Sequence, residues 1–224
     1  MGHLRRLIAF DLDGTLVDSR RDLAESANQL ITELGGVPLQ VDAIGRMVGE
    51  GAALLVRRVL AATGIGDAPG SLERFLEIYD GHLLNHTRPY DRVADAVIAA
   101  RRYARVAVLT NKPAAASERI LSGLGLRDLF DEVVGGDGPF PRKPDPAALL
   151  ALMGRVGVTG ANTLLVGDSR IDHQTARRAA SRCCLVSYGF GYETLPAEQL
   201  TGEEWIAADT LELAGIIERF TAAV

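Results

Sequence analysis

Short apolar runs of strand length alternate with helical patterns through most of this chain, and this alternation is the feature that most limits its fold. The runs lie at 7–10, 106–109, 132–134, 163–166 and 183–186. Helix-like stretches separate the later runs, at 114–124, 146–156 and 171–180. Because strand, loop and helix repeat in that order, the sequence predicts an α/β fold with a doubly wound parallel sheet covered by helices on both faces.

One segment, residues 18–88, interrupts the alternation. It contains amphipathic helical patterns separated by glycines and no strand-like run. We therefore predict a small α-helical cap over 18–88, inserted into a catalytic α/β core formed by 1–17 and 89–224. The alternative is a separate N-terminal helical domain. The strand at 7–10 disfavours that alternative, because the partners it needs lie only beyond residue 105.

Composition excludes several classes of partner. The chain has 24 basic and 29 acidic residues, for a net charge of −5, whereas nucleic acid and anionic membranes call for clustered positive charge. The apolar run at 7–10 is too short for a signal sequence or a membrane-spanning helix, so a cytoplasmic protein is expected. Cys183 and Cys184 are neighbours and are expected to be buried thiols. Only Lys112 and Lys143 are lysines; the other basic residues are arginines.

The end of the first strand carries two carboxylates, Asp11 and Asp13, followed by Gly14 and Thr15. Ligands of open parallel sheets bind beyond the carboxyl ends of the strands, and oxygen ligands suit a hard divalent cation. Acidic residues and glycine also mark ordinary strand ends. However, this four-residue pattern arises by chance in roughly one of several hundred chains of this length.

Polar residues follow three later strands as well: Thr110 with Asn111, then Lys143, then Asp168 with Asp172. Taken alone, each has an ordinary explanation, as a helix cap or an exposed lysine. A threonine hydroxyl next to a helix N-terminus can also bind phosphate oxygens. All of these residues fall at the carboxyl ends of successive strands, which a doubly wound sheet gathers around one crevice. They are therefore candidates for a single site.

The order of these motifs along the chain resembles that of a known family. The four-motif signature of the haloacid dehalogenase superfamily is matched in order by Asp11-Leu12-Asp13-Gly14-Thr15, Thr110-Asn111, Lys143, and Asp168 with Asp172. The resemblance covers nearly the whole chain and implies a Rossmann-like core with a cap inserted after the first motif. Residues 48–52, with Arg46 before them, and the run 109–113 resemble bacterial phosphoglycolate phosphatases and close relatives.

The resemblance also implies roles for the motif residues. Asp11 would attack phosphorus to form an aspartyl-phosphate, and Asp13 would protonate the leaving oxygen and then activate water. Lys143, Thr110 and Asn111 would hold the phosphoryl oxygens. The expected cofactor is Mg²⁺, with four ligands: Asp11, Asp13 through its carbonyl, Asp168, and Asp172 directly or through water.

The expected function is Mg²⁺-dependent hydrolysis of a small phosphate ester, 2-phosphoglycolate, by a monomer or homodimer. Arg46 is the candidate for binding an anionic group at the far end of the substrate. The alternatives are another phosphomonoesterase, a sugar-phosphate mutase resembling beta-phosphoglucomutase, and a catalytically silent phosphate-binding protein. The presence of both Asp11 and Asp13 disfavours the silent protein. The predicted cap contains no lysine, so it cannot supply a Schiff base.

Overall fold

A computed structural model describes residues 6–222, and its centre is a six-stranded parallel sheet with strand order β5-β4-β1-β6-β7-β8. The strands are β1 (Leu7–Phe10), β4 (Arg105–Leu109), β5 (Glu132–Val134), β6 (Thr163–Gly167), β7 (Arg182–Val186) and β8 (Trp205–Ala207). A separate antiparallel pair consists of β2 (Val17–Asp18) and β3 (Arg88–Pro89). The predicted doubly wound parallel sheet is confirmed.

Helices cover both faces of the sheet and form the insertion. They are α1 (Arg20–Glu33), α2 (Val41–Gly45), α3 (Ala52–Thr63), α4 (Ser71–His82), α5 (Val93–Arg101), α6 (Ala114–Gly123), α7 (Ala147–Val156), α8 (Arg170–Arg178) and α9 (Thr210–Ala222). Helices α5, α6 and α9 pack on one face, and α7 and α8 pack on the other. No helix in the described part of the chain is both long and apolar enough to span a bilayer.

Strand β1 is one of the two central strands and is completely buried. Its side chains alternate between the two faces, as the geometry of a strand requires. Ile8 and Phe10 belong to one apolar cluster, and Leu7 and Ala9 belong to the cluster on the opposite face. A short apolar run therefore suffices for this strand, because both of its faces are covered.

The edge strand β8 and the flanking helices α5 and α9 were not predicted. Strand β8 is only three residues long and is preceded by acidic residues, so its hydrophobic pattern is too short to be recognised. Cys183 and Cys184 lie in β7 as buried, unpaired thiols, which confirms the expectation from the sequence.

Helices α1–α4 form the insertion between β1 and the rest of the sheet. Their buried side chains, such as Leu23 and Phe75, belong to the same apolar cluster as Ile8 and Phe10. The strand pair β2–β3 lies where the chain leaves the sheet and returns to it. The domain boundaries after residues 17 and 88 stay a prediction, with this two-stranded ribbon located at both of them.

Candidate active site

Three adjacent strands of the sheet, β4, β1 and β6, end at the same edge, and each is followed directly by a polar residue of the predicted site. These residues are Thr110, Asp11 and Asp168, and all three are buried. The strand order changes direction at β1: β4 and β5 are added on one side of it, and β6, β7 and β8 are added on the other. Such a switch point is where doubly wound sheets bind their ligands.

Lys143 reaches this edge from the loop between β5 and α7. Its Nζ lies 3.0 Å from Asp11 Oδ1 and 2.6 Å from Asp172 Oδ1, and its side chain is only 2% exposed. Burial opposes a charge there, but the carboxylates of Asp11 and Asp172 more than offset it and raise the pKa of Lys143 above its usual value. The lysine is therefore a fixed positive charge that touches two acids of the predicted site.

Three buried carboxylates, those of Asp11, Asp168 and Asp172, have oxygens within 4.8 Å of one another. Burial raises the pKa of Asp11 to about 6, with Lys143 acting in the opposite direction. Burial and the neighbouring Asp172 also raise the pKa of Asp168 well above its usual value. When all three carboxylates are ionised, as metal binding requires, they and one ammonium group leave two negative charges in a buried space. This donor set fits a divalent cation with oxygen ligands.

Asp172 has hydrogen-bond partners on both of its oxygens. Its Oδ2 accepts hydrogen bonds from the Ser169 N–H (3.1 Å) and the Ser169 hydroxyl (2.6 Å), and the first of these belongs to a capping box at the start of α8. Its Oδ1 accepts a hydrogen bond from Lys143. Asp168 instead receives the backbone N–H of Gly191 on Oδ2, at 2.7 Å. Asp172 thus orients Lys143 and the start of α8. Asp11 and Asp168 have more carboxylate lone pairs available to bind a cation.

Gly14 is needed where the first motif turns. Its φ is +84°, and a Cβ added there would lie 1.9 Å from Asp168 Oδ2. A side chain would therefore be strained by the backbone conformation and would also displace Asp168. The glycine after the two aspartates lets the β1 loop approach the β6 loop closely enough to form the carboxylate cluster.

Asp13 is not one of the three clustered carboxylates and binds Lys112 instead. Lys112 Nζ donates hydrogen bonds to both carboxylate oxygens of Asp13, at 2.9 and 2.8 Å. The hydroxyl of Ser19 donates a third, at 2.6 Å. Although burial opposes its charge, Lys112 has a raised pKa because Asp13 lies beside it. Lys112 is not among the site residues predicted from the sequence; its rarity in this arginine-rich chain and its place directly after Thr110 and Asn111 are the signals that could have indicated it.

A cavity of about 240 Å³ lies between the polar residues at the ends of β1 and β4 and the helices of the insertion. Asp11, Asp13, Thr110 and Asn111 line its floor. Apolar side chains of α1, α3 and α4 contribute to its walls, together with Leu83 just after α4: Leu23, Leu55, Phe75, Leu76, Tyr79 and Leu83. The acidic pair Asp11 and Asp13 is thus covered by a largely apolar lid, which can exclude water from a bound ligand.

Two of the predicted substrate-binding residues, Asn111 and Arg46, differ in their position relative to the cavity. Asn111 lines the cavity, and its Nδ2 donates to the carbonyl oxygens of Gly49 and Lys143, both at 2.9 Å. It therefore ties the insertion and the lysine loop to the end of β4. Arg46 follows α2 as an exposed residue and is not among the residues that line the cavity. The structure does not bring Arg46 together with the other predicted site residues.

Known proteins are similar to this chain in both sequence and fold. A family model described as haloacid dehalogenase-like hydrolase matches residues 5–180. A phosphoglycolate phosphatase of Rhodospirillum rubrum is 40% identical over 84% of this chain and 82% of its own length. Phosphoglycolate phosphatase 1 of Pseudomonas aeruginosa is 38% identical over 88% and 74%. A solved Haemophilus somnus structure, described as a predicted phosphoglycolate phosphatase, has a TM-score of 0.86 and 30% identity, with 95% of this chain and 97% of that chain covered.

Proposed function

The chain belongs to the haloacid dehalogenase-like hydrolases, and from its similarity to phosphoglycolate phosphatases over most of its length we propose that it hydrolyses 2-phosphoglycolate to glycolate and inorganic phosphate. The observation that carries the proposal is the position of Asp11, which is in contact with Lys143 and faces a cavity that also contains Asp13. The volume of about 240 Å³ is below the roughly 300–1,000 Å³ of sites for drug-sized ligands, so the cavity favours a small substrate.

In the proposed reaction an oxygen of Asp11 forms a bond to phosphorus while the bond from phosphorus to the leaving oxygen breaks. Asp13 gives its proton to that oxygen, so that glycolate leaves as an alcohol. Water then attacks phosphorus and passes a proton to Asp13, which releases phosphate and restores Asp11. Because a carboxylate and a phosphate dianion repel each other at short range, the charge of Lys143 next to Asp11 stabilises their approach.

Mg²⁺ is the proposed cofactor, since the donor set consists of oxygens and has two uncompensated negative charges. Asp11 and Asp168 would hold the ion, with the carbonyl of Asp13 and with Asp172 as further ligands. When bound, Mg²⁺ supplies the remaining charge neutralisation for the phosphoryl group.

The raised pKa of Asp11 predicts that Mg²⁺ binding depends on pH. Asp11 has a pKa of about 6 without metal, so below that pH it carries a proton that Mg²⁺ must displace. We expect the Mg²⁺ affinity to fall by at least roughly tenfold between about pH 7 and about pH 5, with proton release on binding, and the raised pKa of Asp168 acts in the same direction. Isothermal titration calorimetry in buffers of different ionisation enthalpy measures both quantities. An affinity that stays constant over this range would contradict the assignment of Asp11 as a ligand.

A panel of small phosphate esters, assayed with Mg²⁺ and ranked by kcat/KM, tests the substrate. We expect 2-phosphoglycolate to rank first and to release one phosphate per molecule consumed. A mutase would instead return a phosphorylated isomer with little free phosphate. A silent phosphate-binding protein would release phosphate from none of the esters, which would refute the proposed function.

A further inference from the structure

One cationic side chain lines the cavity within the described part of the chain, and it is Lys112. The other charged residues there are acids: Asp11, Asp13 and Asp80, the last of which pairs with Arg119 on the outside. The remaining walls are largely apolar. A substrate that carries a second negative charge therefore has one positive group in this cavity to approach.

Lys112 lies between the core and the insertion. On one side its Nζ contacts Asp13, and on the other it lies 4.7 Å from the ring centroid of Tyr79 in α4. The Tyr79 hydroxyl is buried and has no hydrogen-bond acceptor among residues 6–222. Tyr79 also lines the cavity. An anionic oxygen in the cavity next to Lys112 could accept hydrogen bonds from both the ammonium group and this hydroxyl.

We propose that Lys112, assisted by Tyr79, binds the carboxylate of the leaving group and so determines the preference for acidic phosphate esters. The inference rests on the proposed function and deepens it. Asp13 is the group that protonates the leaving oxygen in that mechanism, and in glycolate one carbon separates this oxygen from the carboxylate. Lys112 lies 2.8 Å from Asp13, so it lies beside the place that the carboxylate has to occupy.

Binding of the carboxylate also changes the surroundings of Asp13. Lys112 bridges both Asp13 oxygens, and Ser19 donates to one of them. A second anion beside Lys112 loosens this arrangement and allows Asp13 to turn to the leaving oxygen. An ester without the carboxylate leaves the pair of Lys112 and Asp13 intact. The preference should therefore appear in kcat as well as in KM.

The test compares Lys112→Met with the wild-type enzyme, both with Mg²⁺, on 2-phosphoglycolate and on 2-hydroxyethyl phosphate, an analogue of similar size in which an uncharged hydroxymethyl group replaces the carboxylate. We expect the ratio of the two kcat/KM values to fall by about 10- to 100-fold, the usual effect of losing a charged hydrogen-bond partner. This ratio does not depend on the fraction of folded enzyme. Arg155→Met removes an exposed cation of α7 that pairs with Glu132, and it should leave the ratio unchanged.

Two further variants test the role of Tyr79 and provide a second substitution at Lys112. Tyr79→Phe should lower the ratio by a few-fold, because one neutral donor is lost. Lys112→Gln, which keeps a donor beside Asp13, carries the same test if the methionine variant does not fold. An unchanged ratio in the Lys112 variants, with both esters still hydrolysed, would overturn this inference and leave the proposed function intact.

Arg46→Ala separates this inference from the sequence-based assignment of the distal anion to Arg46. If Arg46→Ala abolishes the preference while Lys112→Met retains it, the carboxylate contact belongs to Arg46 and the role of Lys112 is refuted. If the wild-type enzyme releases phosphate from neither ester, the proposed function fails, and the inference fails with it.

Discussion

Asp11→Asn is expected to reduce phosphate release by about 10³-fold or more while the protein still folds. The amide has nearly the shape of the carboxylate, but it is a poor nucleophile and cannot form the aspartyl-phosphate. The substitution also removes one of three buried negative charges around Lys143. We therefore expect the melting temperature to stay the same or to rise. Steady-state phosphate release with Mg²⁺ and a thermal melt measure the two effects.

The control for this variant is Asp95→Asn. Asp95 is an exposed carboxylate of α5 that pairs with Arg92 and is not among the residues that line the cavity. Its loss should leave the rate unchanged. Retention of wild-type turnover in Asp11→Asn would exclude Asp11 as the nucleophile and the covalent route with it. The phosphatase assignment by family would then need another attacking group, such as water activated directly by Asp13.

The sheet and the carboxylate cluster could be predicted because each depends on local sequence. The runs 7–10 and 132–134 coincide with β1 and β5, since buried parallel strands are short, continuous and apolar. Asp11 and Asp168 each follow such a strand directly. The parallel topology then brings the strand ends to one edge, so the order of the motifs along the chain indicates their proximity in space.

The contacts between the insertion and the core could not be predicted in the same way. Lys112 binds Asp13, which is far away in sequence, and its ammonium group lies against the ring of Tyr79 in helix α4 of the insertion. No periodicity relates these three positions. Arg46 is a different case: its side chain suits an anion, but it is not among the residues that line the cavity, and its role as an anion-binding residue stays a prediction. Side-chain direction at the ends of a short helix such as α2 depends on packing that local sequence does not specify.

Lys143→Met should have the second large effect, on stability as well as on activity. Lys143 is the cation that contacts both Asp11 and Asp172, and all three side chains are buried. Removing one partner of a buried ion pair costs about 3–5 kcal/mol, because the other partner is left uncompensated. We expect that loss in the free energy of unfolding without Mg²⁺ at neutral pH, together with phosphate release lowered by about 10³-fold.

The destabilisation of Lys143→Met should depend on pH and on Mg²⁺. Burial already raises the pKa of Asp11 to about 6, and Lys143 opposes that rise, so its removal raises the pKa further. A raised acid pKa means that the folded state binds more protons than the unfolded state. The cost of the substitution is therefore largest above the folded pKa and shrinks as the pH falls. Mg²⁺ should also reduce the cost, because it restores positive charge beside the same carboxylates.

Urea unfolding of Lys143→Met and wild type, at about pH 5.5 and about pH 8 and with and without Mg²⁺, measures these effects. Arg155→Met is the matched control, since it removes an exposed cation from α7 and should cost less than about 1 kcal/mol under every condition. If Lys143→Met were equally stable at both pH values and insensitive to Mg²⁺, its charge would not be what balances the three carboxylates. In the expected case, Lys143 and the divalent cation share one task, the neutralisation of buried acids that also have to meet a phosphate dianion.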